Sequence, residues 1–288
     1  MKLMQKTIKN SVVISGIGQH KGTENTITLL PAPVDTGIVF EICGKRYPLN
    51  LECVFGETGY TCIGEQNGTN VKTIEHLVSS LHGLGVDNVV IQTESKEIPI
   101  LDGSSLPFVE ILQKKAGFLE QNAPKKFIKI LRNVSFSDEK GTVSISPSDT
   151  PNLTLDVTID YSAIKPIGIE NATVSLTPQI YAEKICKART FARLSDVEYL
   201  HSMGLCLGAT LKSGVAVDSE KVINPEGLRF ENEFVYHKIL DAIGDLYVMG
   251  HPIIGSYKSD RGGHYHNNQL VRAVMSDPSN YTIVEQEA

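Results

Sequence analysis

Two short segments, far apart in the chain, constrain its fold more than any other feature. Residues 72–77 read KTIEHL and place Glu75 beside His76, and residues 237–241 read HKILD. On a helix, His237 and Asp241 are about one turn apart and point from the same face. Two histidines and one carboxylate leave one tetrahedral position of Zn²⁺ open for water, as catalytic zinc requires. If the segments form one site, the fold must bring His76 against His237 and Asp241.

A further carboxylate, Glu75, stands next to the first of these histidines. Adjacent residues on a helix diverge by about 100°, so the pair alone is weak evidence for a site. In the zincin motif HExxH, however, the ligand and the base are also neighbours in sequence. Water at a metal needs such a base, and the combination therefore indicates a hydrolase.

Composition and charge exclude several classes of protein. The chain has 288 residues, of which 41% are hydrophobic, and its formal charge of −6 argues against a nucleic-acid binder. No run approaches the roughly 18 apolar residues of a membrane span, so we expect no stable membrane insertion. The five cysteines form no CxxC pair. This favours a reduced, cytoplasmic protein over the alternative of a disulfide framework.

The order of predicted elements indicates an α+β protein with two similar domains, residues 1–122 and 127–288. We expect each to be a mixed β-sheet with two helices, packed as a layered sandwich, with a polar linker at 121–126. The predicted strands are 26–30, 38–42, 88–92, 127–131, 142–146, 153–159 and 172–176. The predicted helices are 70–84, 106–116, 177–187 and 231–249. Residues 194–226, rich in glycine and short apolar runs, are predicted to be an insertion in the second domain.

The helix predicted at 231–249 carries a polar stripe. His237, Asp241 and Asp245 are spaced four residues apart, and the opposite face is apolar. Such a stripe is also what a solvated helix face would carry. Because the helix is apolar elsewhere, we interpret the stripe as facing a cleft.

A third segment, residues 261–268, reads RGGHYHNN. Two glycines before His264 suggest a tight loop that approaches a ligand closely. His264 could then act as a general acid, with Asp245 holding its other ring nitrogen. The alternative is a surface loop with incidental histidines.

These segments belong to a longer series of motifs that runs along almost the whole chain. The motifs are GIGQHKG at 16–22, TIEHL at 73–77, GLGVDN at 83–88, EIPILDGS at 97–104, ARTF at 188–191, GLCLG at 204–208, GLRFE at 227–231, HKILDAIGD at 237–245, and GH at 263–264 followed by NN at 267–268. In this order they resemble the UDP-3-O-acyl-N-acetylglucosamine deacetylases, zinc amidases of lipid A biosynthesis.

The resemblance implies a role for each polar residue named above. His76, His237 and Asp241 would hold the zinc, for which Fe²⁺ is an alternative. Glu75 would take a proton from the attacking water. The hydroxyl of Thr190 would help to stabilise the oxyanion. A charged His264, oriented by Asp245, would stabilise the same charge and protonate the departing amine.

The resemblance also implies a binding site for an acylated UDP-amino sugar. Phe191 would pack on the sugar, and Lys238 and Arg261 would meet the diphosphate. Tyr161 would stack on the uracil, although ordinary packing at a strand end is the alternative. The insertion would form a hydrophobic passage for the 3-O-acyl chain, rather than simply part of the core. Its expected lining residues are Val197, Cys206, Thr210 and Leu211.

Three positions depart from the pattern of this family: Gln19, Tyr60 and Arg193. They leave the chemistry intact but affect the expected fit of the acyl chain.

We expect the protein to be a monomer. Two alternative functions are a zinc amidase of another substrate and a non-catalytic protein that binds a sugar nucleotide or a lipid. The latter would not need Glu75.

Overall fold

The computed structural model describes residues 2–57 and 59–285 of the chain. The first half contains two helices, α1 (Glu75–Gly83) and α2 (Leu106–Ile111), and a π-helical turn, Leu112–Ala116, extends α2. The strands are β1 (Met4–Ile8), β2 (Val12–Ile17), β3 (Glu24–Pro31), β4 (Ile38–Ile42), β5 (Lys45–Pro48), β6 (Val54–Glu57), β7 (Tyr60–Gly64), β8 (Asn70–Lys72), β9 (Val89–Thr93) and β10 (Phe118–Pro124).

The second half has four more helices. They are α3 (Pro178–Glu183), α4 (Leu194–Ser202), α5 (Glu233–Leu246) and α6 (His264–Met275). The strands are β11 (Lys126–Ile130), β12 (Val134–Ser137), β13 (Thr142–Ser146), β14 (Leu153–Tyr161), β15 (Gly168–Ser175), β16 (Phe191–Arg193), β17 (Val215–Val217), β18 (Ile253–Asp260) and β19 (Tyr281–Glu285). Single 3₁₀ turns follow α3, α5 and α6, at Ile185–Lys187, Tyr247–Met249 and Pro278–Asn280.

Each half contains a mixed sheet, as predicted. The first has the strand order β2-β3-β9-β4-β5, with β4 and β9 parallel and the other pairs antiparallel. In the second, β18 is central and pairs in parallel with both β11 and β14. From Leu153 to Ile159 of β14, residues alternate between buried and half-buried, which is the two-residue period of a strand. The α+β prediction is thus confirmed.

The halves meet where α1 packs against α5. All nine residues of α1 are buried, and so is every residue of α5 except Lys238. The packing is close because Gly244 has no side chain: a Cβ there would collide with the carbonyl oxygen of Glu75. Similarly, a Cβ on Gly83 would collide with the ring of Tyr181 in α3. The first turn of α1 therefore lies directly against the C-terminal part of α5.

The helix predicted at 70–84 is wrong in its first part. Asn70–Lys72 is a strand that pairs antiparallel with β7. Thr73 has a left-handed backbone (φ +60°), which no α-helix tolerates, and α1 begins at Glu75. As a result, Glu75 and His76 are the first two residues of the helix.

The tight loop predicted at 261–268 is also shorter than expected. Residues 261–263 form it, and α6 begins at His264. Asn267 and Asn268 are therefore on the first turns of a helix.

Within 194–226, the predicted insertion, the chain forms α4 and β17, and β17 pairs in parallel with β16. Over the described residues, every helix is too short or too polar to cross a membrane.

Candidate active site

His76 of α1 and His237 and Asp241 of α5 come together at the contact between the two helices. Their three ligand atoms lie within 4.8 Å of one another, and all three residues are buried. Asp241 Oδ1 is 3.5 Å from His76 Nε2 and 3.4 Å from His237 Nε2. The segments far apart in sequence thus form one cluster that could hold a metal ion.

One atom of this cluster fits a cation in a way that a purely structural arrangement would not. Asp241 Oδ1 is buried and has no hydrogen-bond partner among the described residues. An unpaired buried carboxylate oxygen is costly, and a metal ion would satisfy it. The Nδ1 of His237 donates to the carbonyl oxygen of Ala188 at 3.1 Å, which leaves Nε2 to face the cluster.

The charge states of the cluster also suit a metal. Burial lowers the pKa of His237 to about 3, so its imidazole is neutral near neutral pH. Burial works against the charge of Asp241, but the positive charges of Lys238 and His264 hold its pKa well below the usual range. Neutral imidazole and ionised carboxylate are the forms that coordinate metals.

Glu75 is the carboxylate nearest to this cluster in sequence, and it is buried in the first turn of α1. Its Oε2 accepts a hydrogen bond from the backbone N–H of Thr61 at 2.9 Å. Burial raises its pKa, against the opposing effect of His264 and His76. A carboxyl group of this kind is poised to exchange a proton.

His264 faces the cluster from the start of α6. Its Nδ1 donates to Asp245 Oδ2 at 2.9 Å, and its Nε2 is 3.8 Å from Asp241 Oδ2. Burial opposes a charge on this ring, but Asp245, Asp241 and Glu75 outweigh that effect and raise the pKa of His264 to about 9. The expected pairing of His264 with Asp245 is present in the structure.

Three residues that received no role from the sequence complete this part of the site. The hydroxyl of Thr61 donates to Asp245 Oδ1 at 2.7 Å, and the Asn267 amide donates to Asp245 Oδ2 at 2.8 Å. The Tyr257 hydroxyl donates to Asn267 Oδ1 at 2.6 Å. Asn267 follows His264 by three residues, a spacing that would have indicated a shared helix face once α6 was recognised. No sequence signal distinguishes Thr61 or Tyr257 from other strand residues.

A cavity of about 530 Å³ opens onto these groups. Its wall includes the three possible ligands, Glu75 and His264, together with Thr190, Phe191 and Lys238. Phe191 stands edge-on to the ring of His237, with centroids 6.2 Å apart. Lys238 Nζ is 2.9 Å from Asp241 Oδ2. Polar and aromatic groups thus surround the space in front of the cluster.

A second cavity, of about 250 Å³, adjoins the first. The two share part of their lining, including Thr190, Phe191 and Leu200. The residues expected to line an acyl passage are all in its wall, namely Val197, Cys206, Thr210 and Leu211. A mostly apolar space, lined by Gln19 and residues between Thr190 and Ala216, therefore adjoins the cavity that holds the cluster.

Two expected binding residues lie outside both cavities. Tyr161, at the end of β14, packs edge-on against Phe191 with ring centroids 5.5 Å apart. Arg261 is exposed, and its Nε is 3.4 Å from Asp260 Oδ1. Of the three departing positions, Gln19 and Tyr60 line the larger cavity and Arg193 lines neither of the two.

Comparisons with known proteins point to one family. The family model of the LpxC family, described as UDP-3-O-acyl N-acetylglycosamine deacetylase, matches residues 5–276. The chain is 39% identical to the UDP-3-O-acyl-N-acetylglucosamine deacetylase of Pseudoalteromonas atlantica, over 99% of this chain and 94% of the relative. It is 40% identical to the protein of that name from Hahella chejuensis, over 99% of this chain and 95% of the relative. For the one from Pasteurella multocida the identity is 39%, over 98% and 93%. The chain therefore belongs to the UDP-3-O-acyl N-acetylglycosamine deacetylase family.

Proposed function

We propose that this protein hydrolyses the 2-acetamido group of UDP-3-O-acyl-N-acetylglucosamine, with zinc bound by His76, His237 and Asp241. The products are acetate and the 2-amino sugar nucleotide, in lipid A biosynthesis. The observation that carries the proposal is the meeting of three possible ligands, Glu75 and His264 in the wall of one cavity, with Asp245 hydrogen-bonded to His264. Relatives that match nearly all of the chain carry the name of this deacetylase.

Bound zinc would supply Lewis-acid chemistry, which makes water more acidic and polarises an amide carbonyl. The residues of the chain supply the proton transfers. Glu75 accepts a proton from the water that attacks the acetamide carbon, a role suited to its buried carboxylate. The Thr190 hydroxyl and the charged His264 stabilise the oxyanion. His264 then donates a proton to the nitrogen as the carbon–nitrogen bond breaks.

The two adjoining cavities suit the two parts of the substrate. The sugar would lie in the larger cavity against Phe191, with Lys238 near the diphosphate. The 3-O-acyl chain would extend into the apolar cavity, where each buried methylene contributes about 0.8 kcal/mol. Tyr161 and Arg261 lie outside both cavities, so a role for them in nucleotide binding requires contact with the substrate beyond the cavity wall.

The decisive assay measures acetate release from this substrate by the metal-loaded protein and by Glu75→Ala and Glu75→Gln. Without the base we expect turnover to fall by about 10²-fold or more. Metal analysis of the same samples should give equal metal contents, since Glu75 is not a proposed ligand. Turnover of Glu75→Ala within a few-fold of the wild type would contradict the role of Glu75. A wild type that carries metal but releases no acetate would contradict the proposed substrate.

A further inference from the structure

We infer that Thr61 is a positioning residue that fixes the base and the acid of this site relative to each other. This inference rests on the proposed function, because it takes Glu75 as the base and His264 as the acid. Thr61 is the second residue of β7, and its side chain is almost completely buried, with 3% relative exposure. It is not one of the three possible metal ligands.

Thr61 contacts the two halves of the catalytic machinery through different atoms. Its backbone N–H donates to Oε2 of Glu75 at 2.9 Å. Its hydroxyl donates to Oδ1 of Asp245 at 2.7 Å and lies 3.5 Å from Nδ1 of His264. One residue of the first half therefore joins a carboxylate of α1 to a carboxylate of α5.

The hydroxyl completes a set of donors around Asp245. His264 and Asn267 both donate to Oδ2, and Thr61 donates to Oδ1. The orientation of the Asn267 amide follows from the Tyr257 hydroxyl, which donates to Oδ1 of Asn267 and thereby turns the NH₂ group toward Asp245. Both oxygens of Asp245 are thus held by donors from different elements.

This arrangement matters because a carboxylate on its own is free to rotate. The terminal torsion of an aspartate is broad, so the carboxylate plane is set by hydrogen bonds rather than by rotamer preference. The plane of Asp245 in turn sets the direction of the His264 ring, whose Nε2 faces the cavity. Small misplacements of a catalytic group reduce turnover strongly. Without the Thr61 hydroxyl, we expect the Asp245–His264 pair to sample unproductive orientations.

The chain offers variants that separate these effects. Thr61→Val keeps the β-branched shape and the backbone N–H to Glu75 but removes the hydroxyl. Thr61→Ser keeps the hydroxyl. Thr7→Val is a matched control, because Thr7 is equally buried and its hydroxyl donates to the Asn88 carbonyl oxygen, outside both cavities.

The experiment measures kcat, KM and metal content for the wild type and the three variants. Loss of a hydrogen bond to a charged group predicts a roughly tenfold to hundredfold lower kcat for Thr61→Val. We expect an unchanged KM and full metal content, because neither the substrate cavity nor the ligands change. Thr61→Ser should recover kcat to within about threefold. Thr7→Val should lower the melting temperature without lowering kcat.

A second measurement tests positioning independently of activity. The Nδ1–H proton of His264 is observed by NMR in metal-loaded wild type, Thr61→Val and Thr7→Val. Its resonance should move or broaden in Thr61→Val alone. If the wild type is active, an unchanged kcat in Thr61→Val overturns the inference. If the wild type is inactive, the proposed function fails, and an unchanged Nδ1–H resonance in Thr61→Val then separately overturns the positioning role.

Discussion

Asp241 and Asp245 are one turn apart on α5, and both are buried, yet they have different partners. Asp241 points one oxygen at His76 and His237, whereas Asp245 binds His264, Asn267 and Thr61. The difference explains why two aspartates at matching helical positions have different proposed roles. Asp241 has an oxygen free for a cation, and both oxygens of Asp245 accept hydrogen bonds.

The pair gives a matched test of the proposed ligand assignment. We expect Asp241→Ala to lower the metal content of the purified protein strongly, because one of three protein ligands is lost. Asp245→Ala should keep the metal but lose turnover, since only the support of His264 is removed. Elemental analysis of both variants, alongside acetate release, measures the two effects. Full metal occupancy in Asp241→Ala would rule out the assignment.

At the scale of elements, α1 supports the site at one end and contains a second buried histidine, His82, at the other. The Nδ1 of His82 lies 3.0 Å from the Ile243 carbonyl oxygen of α5, and its ring stacks on Tyr247 at 4.2 Å. Burial lowers the pKa of His82 to about 4. The contact between α1 and α5 therefore requires an uncharged imidazole at this position.

This requirement predicts a dependence of stability on pH. Because the pKa is lower in the folded than in the unfolded protein, unfolding takes up a proton as the pH falls. The neutral His82 makes its full contribution to the free energy of unfolding above about pH 6.5. This contribution decreases as the pH falls toward 4. Its size is roughly 3 kcal/mol, since one pKa unit corresponds to about 1.4 kcal/mol. His82→Gln should show a smaller loss of unfolding free energy between pH 6.5 and 4 in denaturant titrations. An equally steep loss in the variant would contradict the prediction.

The elements that could be predicted from the sequence are those with a strong local period. The apolar spacing of 231–249 identified α5, and Thr177 caps α3 as expected by accepting from the Ile180 N–H. The same reasoning missed the start of α1, because a left-handed Thr73 leaves no periodic signal. It also missed α6, whose first turn contains residues that mark a loop when considered alone.

The residues of the candidate site likewise differ in whether a local sequence pattern marks them. The proposed ligands and Glu75 could be predicted because metal chemistry restricts the residue types and their spacing. Thr61 and Tyr257 could not, because their partners are set by the packing of β7 and β18 against distant helices. The role of Arg261 at the diphosphate stays a prediction, since its place at the surface beside Asp260 follows from loop geometry that the sequence does not specify.

At the scale of the whole molecule, the proposed metal site draws on both halves of the chain. His76 comes from the first half, and His237 and Asp241 come from the second. An ion bound by all three would link α1 to α5 and close a long loop of the chain.

The boundary between the predicted domains, the monomeric state and the cytoplasmic location stay predictions.

Metal removal should therefore lower the stability of the whole protein. A ligand that binds only the folded state at about 1,000 times its Kd stabilises that state by roughly 4 kcal/mol. For a chain of this size, this corresponds to a decrease in melting temperature on the order of 10 °C on chelation. Added zinc should restore the melting temperature in the wild type but not in His76→Ala. A metal-loaded protein whose melting temperature does not change on chelation would contradict a link between the two halves.

The contact at Gly244 has a consequence for how such a protein can diverge. Here the backbone of one helix touches the backbone of another, so the separation between Glu75 and Asp241 does not depend on which apolar side chains fill the surrounding interior. The apolar side chains of the core can then change in the course of evolution while this separation stays the same. Any side chain at position 244, in contrast, would force the two helices apart.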